Sequence, residues 1–161
     1  MMVSSFLFYL LLLILCISLP IIYGNEWNCA STTGTFIKSN DCTISGNNHV
    51  EVSGTLEIEG SRADMKHLIT ITAASKHRHF YLNNANAKLI LRYIKLSGGD
   101  VSSGSSNDAT GYGGSILVNK NNGAAGELNL YSSIIDNNKA YRGGGIFSYG
   151  TVKIDGNSII L

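Results

Sequence analysis

Short runs in which apolar residues occupy positions i and i+2 recur along this chain with a period of about 24, and few folds accept such a pattern. Leu56 and Ile58 stand 24 positions before Phe80 and Leu82, Ile69 and Ile71 stand 25 before Ile94 and Leu96, and Leu128 and Leu130 stand 24 before Val152 and Ile154. Further runs lie at Cys42-Thr43-Ile44-Ser45, Val50-Glu51-Val52, Leu89-Ile90-Leu91 and Ile116-Leu117-Val118. Gly, Asn, Ser or Asp bounds these runs, and no stretch of a dozen residues after Gly24 sustains a helical apolar period. Alternation with turn punctuation predicts strands rather than helices. Short strands repeating at such a period predict the coils of a parallel β-helix, since one coil cannot bury its apolar side without a neighbour stacked on it.

The glycines test this period. Gly113-Gly114-Ser115-Ile116 and Gly143-Gly144-Gly145-Ile146 lie 30 positions apart, and the excess of six falls between Ile116 and Leu128. Residues 119–124 are therefore read as a loop bulging from one coil, and the polar segment 100–112 (DVSSGSSNDATGY) as a longer loop of the same kind. Gly54, Gly60, Gly126, Gly150 and Gly156 fall where a coil must turn, which accounts for a glycine content of 18 in 161 residues. Asn83, Asn84, Asn137, Asn138 and Asn157 stand at the same boundaries. Two readings fit them, left-handed turn residues with stacked amide ladders or solvated turn residues without a ladder.

Residues 1–24 are set aside as a secretory signal peptide. They carry no charged side chain, residues 6–19 form an apolar core, and Pro20 and Gly24 follow as a breaker and a small residue near the cut. The alternative is an uncleaved membrane anchor, for which the apolar stretch is short and interrupted by Pro20. The domain expected to remain is 25–161, with 25–42 as its N-terminal cap region. Cys16 would be lost with the leader, which leaves Cys29 and Cys42 as candidates for a disulfide, the alternative being two buried thiols. The chain ends on Ile159-Ile160-Leu161, with Ile159 taken as the equivalent of Ile135 one period earlier. The C-terminal coils are therefore expected to be truncated and the chain to be a fragment.

Residues 133–146 (SIIDNNKAYRGGGI) resemble the repeat of the chlamydial polymorphic outer-membrane proteins and related β-helix proteins. That repeat joins a Phe-x-x-Asn motif to a Gly-Gly-Ala-Ile motif. Here Ile135 and Asn138 stand at the first, with Ile in place of Phe. Gly143, Gly144 and Ile146 stand at the second, with Gly in place of Ala, and Gly113, Gly114 and Ile116 form another copy. The resemblance covers about residues 67–161. It implies an all-β, right-handed single-stranded parallel β-helix of the pectin-lyase-like kind, a solenoid whose coil has the period noted above, incomplete at the C-terminus. It also implies export and an adhesive role at a cell surface.

Pectin-lyase-like folds also host enzymes, so the acidic residues matter. Glycosidases need two carboxylates converging on a sugar ring, and lyases of this fold an acid cluster for calcium with a base. Glu57 and Glu59 alone share a strand face here, alternating with Leu56 and Ile58, and they read as an exposed pair. No catalytic residue, cofactor or metal is expected, and no Cys/His cluster has zinc spacing. Lys76-His77-Arg78-His79 is the one local basic cluster. It reads as a solvated turn leading into Phe80, with an acidic glycan or a metal as its functional alternative. A net charge of +1 with scattered basic residues lacks the footprint of a nucleic-acid binder.

The expected protein is thus secreted, extracellular or at the cell surface, non-catalytic, and serves adhesion or an extracellular structural role. Its expected partner is an extracellular glycan or a cell-surface protein and not a nucleic acid. A membrane would be engaged only through an uncleaved signal or a missing C-terminal segment. The alternative is a fragment of a polysaccharide-active enzyme, a lyase or glycoside hydrolase of the same fold.

Overall fold

The computed structural model describes residues 24–44 and 48–161, so the proposed signal, apart from Gly24, lies outside the described residues. The chain winds as a parallel β-helix with three faces, and each coil contributes one strand to each face in turn. Face 1 stacks Gly34–Lys38, Thr55–Gly60, Lys88–Arg92, Glu127–Tyr131 and Thr151–Asp155. Face 2 stacks Cys42–Thr43, Ile69–Thr72, Ile94–Ser97, Ile134–Asp136 and Ile159–Ile160. Face 3 stacks Val50–Val52, Phe80–Leu82, Ile116–Val118 and Ile146–Ser148. Every pairing between these strands is parallel and unslipped.

Alternation sets which side chains enter the coil. On face 1, Leu56, Leu89, Leu128 and Val152 form one inward column, and Ile58, Leu91, Leu130 and Ile154 the next. Ile71 with Leu96 and Phe80 with Ile116 close the other two sides, and all four are fully buried. At the N-terminal end the chain adds one more rung: the Trp27 N–H donates to the Ile37 carbonyl (2.9 Å), and the indole is fully buried, 5.9 Å from the Phe80 ring. Cys29 and Cys42 form a disulfide that ties this rung to the first strand of face 2. Closing a loop of this length stabilises by about 3 kcal/mol, chiefly by restricting the unfolded chain.

The expected period of about 24 holds between some coils and is exceeded between others. Leu56 stacks on Leu89, 33 positions on, and Leu89 on Leu128, 39 on, while Leu128 meets Val152 after 24. Leu56 and Ile58 therefore do not precede Phe80 and Leu82 in a stack. They lie on face 1, whereas Phe80 and Leu82 pair with Val50 and Val52 on face 3. Strand pairing constrains only the three faces, so the arcs between them are free to vary in length. Likewise Ile160, not Ile159, stacks on Ile135, because that coil is one position longer than the expected period. The two long arcs do bulge outward. Residues 120–125 form an antiparallel hairpin, and within 100–112 Asp100–Val101 pairs with Lys139–Ala140 before the 3-10 turn Ala109–Gly111.

The asparagines serve several separate roles instead of one ladder. Asn137 has a left-handed φ of 52°, Asn84 accepts from the backbone N–H of Asn86, and Asn119 donates to Asn83 (3.4 Å) and to the Tyr81 hydroxyl. Asn138 clamps two coils, its Oδ1 accepting from the Gly99 N–H (2.7 Å) and its Nδ2 donating to the carbonyls of Leu96 (3.4 Å) and Asp136 (2.6 Å).

Candidate functional site

The resembling motif residues build corners of the solenoid. Ile135 is fully buried in the face 2 column, and Ile116 stacks on Ile146 in face 3. Gly113 and Gly143 both have φ of +63°, and a Cβ on either would run into the carbonyl of the isoleucine three positions on. Gly114 approaches the Gly144 carbonyl so closely that a Cβ there would collide with it. The backbone N–H groups of Gly113 and Gly114 donate to the carbonyls of Arg142 and Gly143, carrying the stacking around the corner. Packing and backbone geometry thus account for Gly113, Gly114, Ile116, Ile135, Asn138, Gly143 and Ile146, while Gly144 contributes the carbonyl that Gly114 approaches.

Beside this corner the fold assembles a groove that the sequence shows only in part. Asn48 and His49 from the first coil, Lys76, His77 and Arg78 from the second, and Val101, Ser103, Gly104 and Thr110 from the long arc line a space of about 330 Å³. Lys76-His77-Arg78-His79 is not a solvated turn. Lys76 is exposed and His77 half-buried, but Arg78 is only 6% exposed and His79 not at all. The arc 100–112 folds back over Arg78, while His79 is enclosed between Ile71, Ser97 and Ser115 of neighbouring coils.

Arg78 is the most constrained of these groups. Its Nη2 donates to the carbonyls of Ala109 (2.7 Å) and Thr110 (3.1 Å), and its guanidinium lies 5.6 Å from the centre of the Tyr81 ring. Among the described residues no carboxylate pairs with it, and none lines the groove. His49 stands edge-on to Tyr81 (5.2 Å). Burial, reinforced by the Arg78 and His77 charges, pushes its pKa down to about 4, so it is neutral at pH 7. A fixed cation without a counter-ion, with an exposed ammonium and two imidazoles beside it, favours an anion.

His79 turns the other way and serves the fold. Its Nε2 lies 3.0 Å from the Ile71 carbonyl and 3.1 Å from that of Ser97, and its Nδ1 lies 3.0 Å from the Ser115 hydroxyl. Two carbonyls demand a proton on Nε2, which leaves Nδ1 to accept from Ser115. The neutral ring thereby satisfies every partner, and burial pushes the pKa down to about 4 despite the two carbonyls.

No acidic residue lines the groove, but Glu51 stacks in register on Tyr81 beside it, and Asp100 and Asp108 lie in the arc that covers it. Glu57 and Glu59 lie on the outer side of face 1, as their alternation predicts, and Glu57 pairs with Arg92 (2.9 Å). Glu127 pairs with Lys153 (2.8 Å) and Lys88 (3.6 Å), Asp136 with Lys95 (2.8 Å), and Glu26 with Lys38 (2.6 Å). Asp100 and Asp108 accept from the backbone and hydroxyl groups of Ser102 and Thr110 in their own turns. No three His, Cys, Asp or Glu side chains among the described residues converge as metal ligands do.

Sequence reasoning missed His49 and the covering arc. A signal was present, since His49-Val50-Glu51-Val52 and His79-Phe80-Tyr81-Leu82 begin alike and their strands stack in register, but their spacing exceeds the period of about 24, which hides the match. No protein-family model matches this chain, and neither a curated protein nor a solved structure matches it.

Proposed function

We propose that this protein acts outside the cell or at its surface as a non-catalytic adhesive β-helix, and that its groove holds an acidic glycan. One observation carries the reading: Arg78 is buried, anchored at Nη2 and stacked beside Tyr81, yet has no carboxylate partner among the described residues. Burying a cation without a carboxylate partner is costly, and two carbonyls and an aromatic ring do not neutralise its charge. An anionic ligand offsets that cost, and a guanidinium suits the planar carboxylate of a uronic acid or the oxygens of a sulfate. The apolar leader and the resemblance of residues 133–146 to the chlamydial surface-protein repeat support the extracellular, adhesive side of the reading.

The test is a glycan microarray probed with the purified, oxidised full-length chain, followed by a cell-adhesion assay. Binding confined to acidic glycans, weakened in Lys76→Gln and His77→Gln and further in Arg78→Gln, is expected. Lys76 is exposed and His77 half-buried, so their variants keep the test independent of folding. Binding to neutral glycans alone, or to none, refutes the groove assignment. Release of reducing ends or unsaturated products from pectin, alginate or glycosaminoglycans by this chain would instead favour the enzyme alternative.

A further inference from the structure

We infer that the acidic glycan extends beyond the groove onto a second cationic and aromatic patch, so that the ligand is a linear polysaccharide bearing acidic groups on successive sugars. This rests on the groove reading above and specifies the ligand of that same region.

The 3-10 turn Ala109–Gly111 joins the two patches. On one side Arg78 donates to the carbonyls of Ala109 and Thr110. On the other, the backbone N–H groups of Tyr141 (2.9 Å) and Arg142 (3.2 Å) donate to the Gly111 carbonyl. Two arginines are therefore held on either side of this one short turn. From Arg142 a row of side chains runs over the outer side of face 3. Its guanidinium lies 5.3 Å from the Tyr112 ring, Tyr112 stacks on Phe147 at 4.5 Å, Phe147 meets Tyr149 edge-on at 5.1 Å, and the Lys120 ammonium lies 4.9 Å from the Tyr149 ring.

Two features of this row point to a ligand of the same chemistry as the groove. Arg142 and Lys120 have no carboxylate partner among the described residues, as is true of Arg78. Tyr141 and Tyr149 are 60% and 48% exposed and offer ring surface of the kind on which the C–H face of a pyranose packs. Register gives the distance: Tyr81 beside the groove, Leu117 and Phe147 occupy one column on successive coils, so Tyr81 and Phe147 are separated by two strand spacings, roughly 10 Å. One sugar does not bridge that distance, whereas a short chain does. Contacts made by one chain at both patches reinforce each other because the second is intramolecular.

The experiment is calorimetric titration of the full, oxidised chain with oligogalacturonates of increasing length and, separately, with a size-matched series of sulfated galactan oligosaccharides. The two series identify which acidic group is preferred. Affinity is expected to rise at least about tenfold from the disaccharide to a length that bridges both patches, then to level off. Arg142→Gln, at an exposed residue, should remove most of that gain and leave disaccharide binding unchanged, whereas Lys76→Gln should weaken both. Length-independent affinity, or an Arg142→Gln variant that keeps the whole gain, overturns the extended site and leaves the groove standing. No binding in either series overturns both, and equal binding of a single-stranded DNA oligomer overturns the polysaccharide assignment.

Discussion

Lowering the pH protonates His79 in the unfolded chain well before it does so in the folded one, and the cost can be worked out. The folded value is about 4 and the ordinary value 6.5, a depression caused by full burial. A base whose folded pKa is depressed contributes full stability above 6.5, loses it progressively as pH falls from 6.5 to 4, and loses no more below. At about 1.4 kcal/mol per pKa unit, the loss approaches about 3 kcal/mol at the acid end. Against a typical total of about 5–15 kcal/mol that is a large fraction. The molecule supplies its own probe, because Trp27 is the single tryptophan and is fully buried. Urea unfolding followed by its fluorescence across this pH range should show the midpoint falling with little change in slope. His49 shifts in the same direction, so His79→Gln isolates the effect: its stability should vary less between pH 6.5 and 4, by about 3 kcal/mol. If that variant does not fold, NMR titration of the wild-type imidazole gives the folded value directly. Parallel pH profiles for the two proteins, or a folded His79 titrating near its ordinary value, would refute the reasoning.

Removing the disulfide with Cys29→Ser and Cys42→Ser should cost about 3 kcal/mol, read as a lower urea midpoint that matches the reduced wild type. Asn138→Ala deletes both ends of the clamp to Leu96 and Gly99 and should cost about 2–3 kcal/mol; a loss under about 0.5 kcal/mol would show that the clamp is incidental. Gly114→Ala should destabilise strongly because its Cβ meets the Gly144 carbonyl, whereas Gly123→Ala, with open space but φ of +84°, should cost only about 1 kcal/mol by thermal denaturation. Equal losses at the two glycines would remove the argument from close backbone approach.

Several levels of this architecture were legible in the residues themselves. Leu128-Asn129-Leu130 and Val152-Lys153-Ile154 stack as their spacing predicts, and the two Gly-Gly-x-Ile blocks pair despite their longer separation, with the hairpin absorbing the excess. The Leu56–Phe80 match failed because apolar alternation says that a strand has an inward side without saying which of three faces it belongs to. The candidate site was legible as four basic residues in a row and misread as solvated, since nothing local announces that a later arc will cover Arg78 or that His79 will turn into the stack of coils.

Local chemistry, then, determined the strands, the corners and the cysteine pair. These depend on alternation, on backbone conformations open to glycine and on a short loop, all of which are properties of neighbouring residues. Tertiary structure alone decided the coil lengths, the burial of Arg78 and His79, and the gathering of His49, Lys76, His77 and Arg142 along one flank. Parallel stacking brings together residues separated by the length of an intervening arc, and that length is free to vary wherever no strand pairing constrains it.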